Sequence, residues 1–284
     1  MTFSTLLQPV LLALALMLPV AAKWQLYWGK ATVGAVLAGC GAAVATRWIP
    51  AGWPCCTILA QAVFIVLLSA AMLLYVFHRD PERMPPDGGE VVVSPADGRI
   101  LYIKELPGGR IATSYKQGWP FELTELRGFS GLLAEGGWLV GIAMNFLDVH
   151  VNRAPIRGEV VLSRLIKGKA LSLKRLEALG TNTRRTTLIE GAWTTAAVIQ
   201  ITSRLVRQIS CYIRRGDLVE AGQRIGMIRF GSQVDVLLPK LPGMVITCRP
   251  GQRVKAGESV IASRGTTEGR GTSAHGQGTA DPAR

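Results

Sequence analysis

Metal-binding and disulfide patterns are missing from this chain. Its five cysteines, Cys40, Cys55, Cys56, Cys211 and Cys248, form no C-x-x-C pair and join no His/Cys cluster. That excludes a disulfide framework and a zinc site. Histidine is scarcer: His78, His150 and His275 are all there are. Any imidazole chemistry therefore rests on one of three side chains. No G-x-S-x-G elbow occurs, which argues against an α/β-hydrolase. No helix-turn-helix pattern, zinc finger or aromatic RNA-binding strand accompanies the basic charge, so no nucleic-acid partner is expected. After the first third of the chain helical periodicity is scarce, with Ser172–Leu179, stopped by Gly180, as one candidate.

What is abundant is apolar length and positive charge. The chain has 284 residues, 49% of them hydrophobic, and a formal net charge of +13. Three apolar runs occupy residues 1–77: Leu6–Ala22, the Gly/Ala-rich Ala31–Ala45, and the uncharged Thr57–Phe77. A bilayer span needs about 20 apolar residues, which the third run supplies. The first two are shorter and read as two tight spans or a re-entrant hairpin. A secretory signal is the alternative for the first run, but it lacks a basic leader and a good cleavage site. Lys23 and Lys30 separate the first two runs, Arg47 lies between the next two, and Arg79 and Arg83 follow the third. If all three span, the charge asymmetry puts the C-terminal domain in the cytoplasm, on the inner face of the cell membrane. The basic clusters beyond, such as Arg184-Arg185 and Arg214-Arg215, then face anionic headgroups.

Residues 78–89, with Pro81, Pro85, Pro86, Gly88 and Gly89, form a junction outside regular structure. Residues 90–263 then read as short strands: Val91–Val93, Arg99–Ile103, Trp138–Phe146, Gly158–Ile166, Thr186–Ile189 and Trp193–Arg204. An internal repeat, G-x-x-V-x-A-G-x-x-[IV], occurs at Gly216–Ile225 and Gly251–Val260. Two such hairpin-like turns predict a mainly β fold, a sandwich or barrel-sandwich of two similar halves with few short helices, behind the N-terminal transmembrane helices. Residues 264–284 lose their apolar content and read as a disordered tail.

Ile225–Phe230 and Gln233–Leu238 read as one strand interrupted by Gly231-Ser232, with both ends expected in one sheet. A glycine there suits a bulge or a close backbone approach. His150 ends an apolar run and is either a structural histidine or a base. Asp97, in a Pro-Ala-Asp-Gly turn, is either an Asx-type turn residue or the orienter of a histidine. His78 suits a membrane interface, and His275 falls in the tail.

Three segments carry a family resemblance in the same order. They are Phe77–Arg83 with Val93–Gly98, then Asp148–Pro155, then Gly226–Asp235. Together they resemble the compact phosphatidylserine decarboxylases over about residues 77–262. The resemblance implies a pyruvoyl enzyme that cleaves itself at Gly231-Ser232. His150, oriented by Asp97, would take the Ser232 hydroxyl proton. Ser232 would become a covalent pyruvoyl group that forms a Schiff base with the substrate amine. The products, a 231-residue β chain and a 53-residue α chain, would stay associated. Phosphatidylserine and anionic membrane lipids are the implied partners, and a homo-oligomer is left open. No bound metal and no separately bound cofactor is implied. Near the place where the longer members carry a second histidine, Arg153 stands here, and Phe230-Gly231-Ser232-Gln233 replaces their Leu-Gly-Ser-Thr. Asn182–Thr186 resembles a compact-family stretch with Thr183 in place of Glu, and suggests a structural or headgroup role. Two other readings stand beside this one: a non-catalytic membrane-anchored β-sandwich, lipid-binding or adaptor in kind, and a serine hydrolase using the same three residues.

Overall fold

A computed structural model describes residues 3–23, 28–50, 52–108, 113–116, 119–122, 126, 131–169, 171, 173, 181–203, 208–229 and 233–265. The helix expected at Ser172–Leu179 (Leu173 apart), the Gly231-Ser232 bond and the tail beyond 265 lie outside the described residues.

Each apolar run forms a helix: α1 (Phe3–Lys23), α2 (Trp28–Ala45) and α3 (Pro54–His78). Pro54 opens α3, where a missing N–H costs nothing. Among the described residues α2 and α3 are long and apolar enough to cross a membrane, while the apolar part of α1, Leu6–Ala22, is shorter. α1 and α2 meet through small residues. Ala13, Ala35, Ala38 and Ala42 are fully buried, and a Cβ on Gly39 would lie 2.5 Å from the Val10 Cα. Small residues let helix backbones approach where lipid supplies no hydrophobic drive.

The rest is β. In chain order the strands are β1 (Val91–Val93), β2 (Gly98–Leu106), β3 (Thr113–Lys116), β4 (Trp119–Glu122), β5 (Gly137–Ala143), β6 (Val151–Arg153), β7 (Gly158–Ile166) and β8 (Arg184–Glu190). They continue with β9 (Thr195–Ile201), β10 (Ile209–Cys211), β11 (Leu218–Val219), β12 (Arg224–Ile228), β13 (Gln233–Pro239), β14 (Met244–Ile246), β15 (Arg253–Val254) and β16 (Val260–Arg264). An eight-stranded antiparallel sheet runs β11-β7-β8-β9-β13-β5-β2-β15, beside two three-stranded sheets, β1-β16-β14 and β10-β12-β6, and the β3-β4 pair. Adjacent residues of its central strands enter separate cores. Leu139, Leu188, Ile199 and Leu237 face one cluster, and Val140, Ile189, Val198 and Val236 face the other. Both faces are thus buried, which is why these strands read as unbroken apolar runs.

The repeat builds two matching halves. Gly251 N donates to Ile100 O and Ile100 N to Gln252 O; Gly216 N donates to Val160 O and Val160 N to Asp217 O. One half pairs β1 and β2 with β16 and β15, and the other pairs β6 and β7 with β12 and β11. They touch where a Cβ on Gly257 would lie 3.3 Å from the Gly222 Cα.

Two expectations need correction. The residues before and after Gly231-Ser232 do not share a sheet. β12 pairs with β6 and β10, whereas β13 is central in the eight-stranded sheet. Alternation marks a strand but not its partners, and partners decide the sheet. The run read to Phe146 ends as strand at Ala143, because Asn145 and Asp148 close a turn through Asn145 N to Asp148 Oδ2 at 2.7 Å. β16 runs through Arg264.

Candidate active site

His150 sits between that turn and β6, fully buried. The turn aims the Asp148 carbonyl at the ring, and Nδ1 lies 2.8 Å from it. A carbonyl only accepts, so Nδ1 carries the proton and Nε2 keeps its lone pair. Nε2 is buried without a hydrogen-bond partner among the described residues. The last turn of α3 covers the ring: Phe77 lies with its centroid 4.2 Å from that of His150. Phe77, Val149, Val151 and Met227 make this wall apolar. Burial pushes the His150 pKa down to about 4, aided by the charges of Arg79 and His78 and opposed by the Asp148 carbonyl and the Asp97 charge. The imidazole is neutral near pH 7, a base with a free lone pair.

Asp97 is 8% exposed, in the turn between β1 and β2. Arg83 grips both of its oxygens, with Nη2 to Oδ2 at 2.8 Å. The Ala256 amide donates to Oδ1 at 2.8 Å and the Val149 amide to Oδ2 at 3.4 Å. The residue expected to orient His150 by direct contact instead fixes the amide beside it and the arginine of the junction. The ring itself is oriented by the Asp148 carbonyl. A local Asx turn outcompetes a carboxylate from another loop because its geometry is set within four residues.

The junction is a strap. Arg153, 3% exposed, donates from Nη2 to Asp80 Oδ1 at 3.0 Å and to Pro81 O at 2.9 Å, and from Nη1 to Gly222 O at 2.8 Å. Arg224 reaches Asp80 and Glu82. Arg153 thus ties the junction after α3 to the β domain. Asn182 is equally structural, bonded through its side chain to the main chain of Leu171 and Thr202.

Gly231 and Ser232 lie outside the described residues, but both flanks are described. Ile228 N donates to His150 O at 3.2 Å, so β12 ends beside the histidine. On the far side Gln233 opens β13. Its Nε2 donates to Asp235 Oδ1 at 2.7 Å and to the Tyr102 hydroxyl oxygen at 2.9 Å, and Tyr102 donates to Asp235 Oδ2 at 2.8 Å. This triad, with Gln233 and Asp235 buried and Tyr102 partly so, escaped the sequence reading. Its signals were a carboxylate in an apolar strand and Gly141 in β5, where a Cβ would lie 2.4 Å from the Tyr102 ring.

Comparison with known proteins gives the geometry a family. Residues 71–262 match the profile of the family described as phosphatidylserine decarboxylase. The chain is similar to a phosphatidylserine decarboxylase proenzyme of Solibacter usitatus, 37% identical over 80% of this chain and 92% of the relative. It is 34% identical to one of Chlorobium limicola, over 75% of this chain and 98% of the relative. A putative archaetidylserine decarboxylase proenzyme of Methanothermobacter thermautotrophicus is 35% identical over 71% of this chain and 85% of the relative. The matched span runs from the end of α3, through the strap, Asp97 and His150, into β16. With that coverage, the chain belongs to the phosphatidylserine decarboxylase family.

Proposed function

We propose that this chain is a membrane-anchored, pyruvoyl-dependent decarboxylase that converts phosphatidylserine to phosphatidylethanolamine after cleaving itself at Gly231-Ser232. The observation that carries the reading is His150, a buried neutral imidazole whose Nε2 lone pair has no partner among the described residues. The naming of the relatives as proenzymes supports a precursor that is cut.

In this reading Nε2 takes the Ser232 hydroxyl proton, and the oxygen attacks the Gly231 carbonyl. The peptide bond becomes an ester. Elimination then frees the Gly231 carboxylate and leaves dehydroalanine, and hydrolysis of its imine tautomer by one water releases ammonia and leaves a pyruvoyl group at position 232. Position 232 is bonded to Gln233 and three residues from Arg229, so chain connectivity keeps its Cα about 3.8 Å from that of Gln233 and within about 11 Å of that of Arg229. The residues present fit such a group: an unpartnered base on one flank and, on the other, an anchored Gln233 that fixes the start of β13. The pyruvoyl group supplies an electron sink for decarboxylation. His150 holds or returns a proton beside it, and the Phe77 wall excludes water. Asp97, through Arg83 and the Val149 amide, positions this histidine.

The two kinds of relative are named for serine on different lipids, which supports reading of the serine headgroup by the matched domain. All three helices are proposed as the anchor, with the β domain on the cytoplasmic side of the cell membrane. Lys30 and Arg79 line one end of the same cavity. That supports a common side for the α1–α2 turn and the end of α3.

Intact-mass measurement of the purified protein tests this. Fragments of 231 and 53 residues are expected, the smaller with a blocked N-terminus. Ser232→Ala should give one uncut chain. A folded wild-type chain of full length with an ordinary Ser232 overturns the reading in favour of an adaptor. Labelling of Ser232 by a fluorophosphonate would mean a hydrolase instead.

A further inference from the structure

The three helices form a half-open cavity of about 400 Å3 whose body is apolar, walled by Met17, Gly34, Ile65 and Leu73 among others. Its one hydroxyl is satisfied, since Ser69 Oγ donates to Ile65 O at 2.5 Å. Lys30 and Arg79 stand at one end, with Leu147 from the turn that leads into His150. None of the described lining residues is acidic. Arg79 spends one of its five donors on the Leu147 carbonyl, at 2.8 Å, which seats the guanidinium at this end. Two cations over an apolar shaft complement an anion that carries a hydrocarbon chain. The volume suits one such chain rather than a whole diacyl lipid. The cavity is built from α1, α2 and the body of α3, so most of it lies outside the family-matched span 71–262.

We propose that this cavity binds one acyl chain of the phospholipid substrate, with Lys30 and Arg79 holding its phosphate and the headgroup lying toward His150. The inference rests on the function proposed above. It assigns the lipid tail to the helices and the headgroup to the β domain. Two geometric links connect the cavity to the site. Leu147 lines the cavity and is three residues from His150, and Phe77, two residues before Arg79, covers the His150 ring.

Photo-crosslinking of the full chain in nanodiscs tests this without turnover. Uncut Ser232→Ala protein would be exposed to phosphatidylserine carrying a diazirine on one acyl chain. Peptides containing Met17 and Leu73 should be labelled. Unlabelled phosphatidylserine should compete and phosphatidylcholine should not. Gly34→Leu, which fills the cavity, and the double change Lys30→Gln with Arg79→Gln should each lower labelling about tenfold, the effect of about 1.4 kcal/mol of lost binding. Leu73→Trp is a second filling variant should Gly34→Leu misfold. Equal labelling by a phosphatidylcholine probe, or labelling indifferent to the filling variants, overturns the inference. Labelling as expected, with a wild-type chain that stays uncut, would keep the lipid site and remove the decarboxylase.

Discussion

At the scale of single residues the site is a set of buried polar groups with unequal partners. His150 has one ring nitrogen satisfied and one without a hydrogen-bond partner among the described residues. Self-cleavage by this base should follow a pKa near 4 rather than the ordinary 6.5. The rate of cleavage of newly folded precursor should stay flat from neutral pH to about pH 5 and fall below it. A midpoint near 6.5 would contradict the buried setting. The same shift acts on stability. The unfolded chain takes up a proton at His150 below about pH 6.5, and the folded chain only below about 4. Stability is therefore full above pH 6.5, falls as pH drops between those values, and loses about 3 kcal/mol in all. His150→Phe should flatten that stretch of a urea-stability curve against pH. Asp97 and Arg83 make the opposite case, a closed pair. Arg83→Met strands the carboxylate and should cost about 3–5 kcal/mol of stability in urea melts. It should also slow cleavage, because the Val149 amide loses its fixed partner.

Among elements, the repeats decide how the chain is held. Their second glycines have φ of 77° at Gly222 and 75° at Gly257, where L side chains are strained. Both are crowded too: a Cβ on Gly222 would lie 2.8 Å from Pro85 Cγ, and one on Gly257 3.0 Å from Arg153 Cδ. The first glycines, Gly216 and Gly251, have φ of 91° and 85° but open space around them. Gly216→Ala and Gly251→Ala should each cost about 1–2 kcal/mol from backbone strain alone. Gly222→Ala and Gly257→Ala should cost clearly more by thermal melting, since the strap residue Pro85 and Arg153 must move. Equal losses at all four positions would refute a role for the repeats in clamping the strap. The repeat, the strands and both punctuating glycines were legible in sequence because turn chemistry is local. The strap was not. Its Arg83 bonds the Ala256 carbonyl 173 positions away, and its Asp80 takes Arg224 from 144 away, separations that no periodicity encodes.

For the molecule as a whole, cleavage would cut the connection between two sheets rather than within one. β13 would then belong to the 53-residue fragment, yet it lies between β9 and β5 of the larger one. Removing it would open both apolar clusters at Val236 and Leu237. The fragments should co-purify in 1 M salt, which screens charge but not apolar burial, and part only in denaturant. Non-reducing gels should separate them, because Cys211 and Cys248 are free thiols. Fragments that dissociate in salt alone would mean that the interface is ionic.

While the family resemblance singled out Asp97, His150 and Ser232 as candidates, composition and periodicity alone determined the apolar helices, the β character of the domain and the internal repeat. Those are local properties, set by backbone preference and the water-avoidance of each segment. Tertiary structure alone decided what each described candidate residue meets. Asp97 meets an arginine from the junction, His150 meets its own turn and the end of a helix, and the strands around position 232 fall in different sheets. Hydrogen-bond partners and burial arise only when distant segments pack. The neutral, half-satisfied histidine on which the proposed chemistry depends is therefore a product of packing, written in no single stretch of the chain.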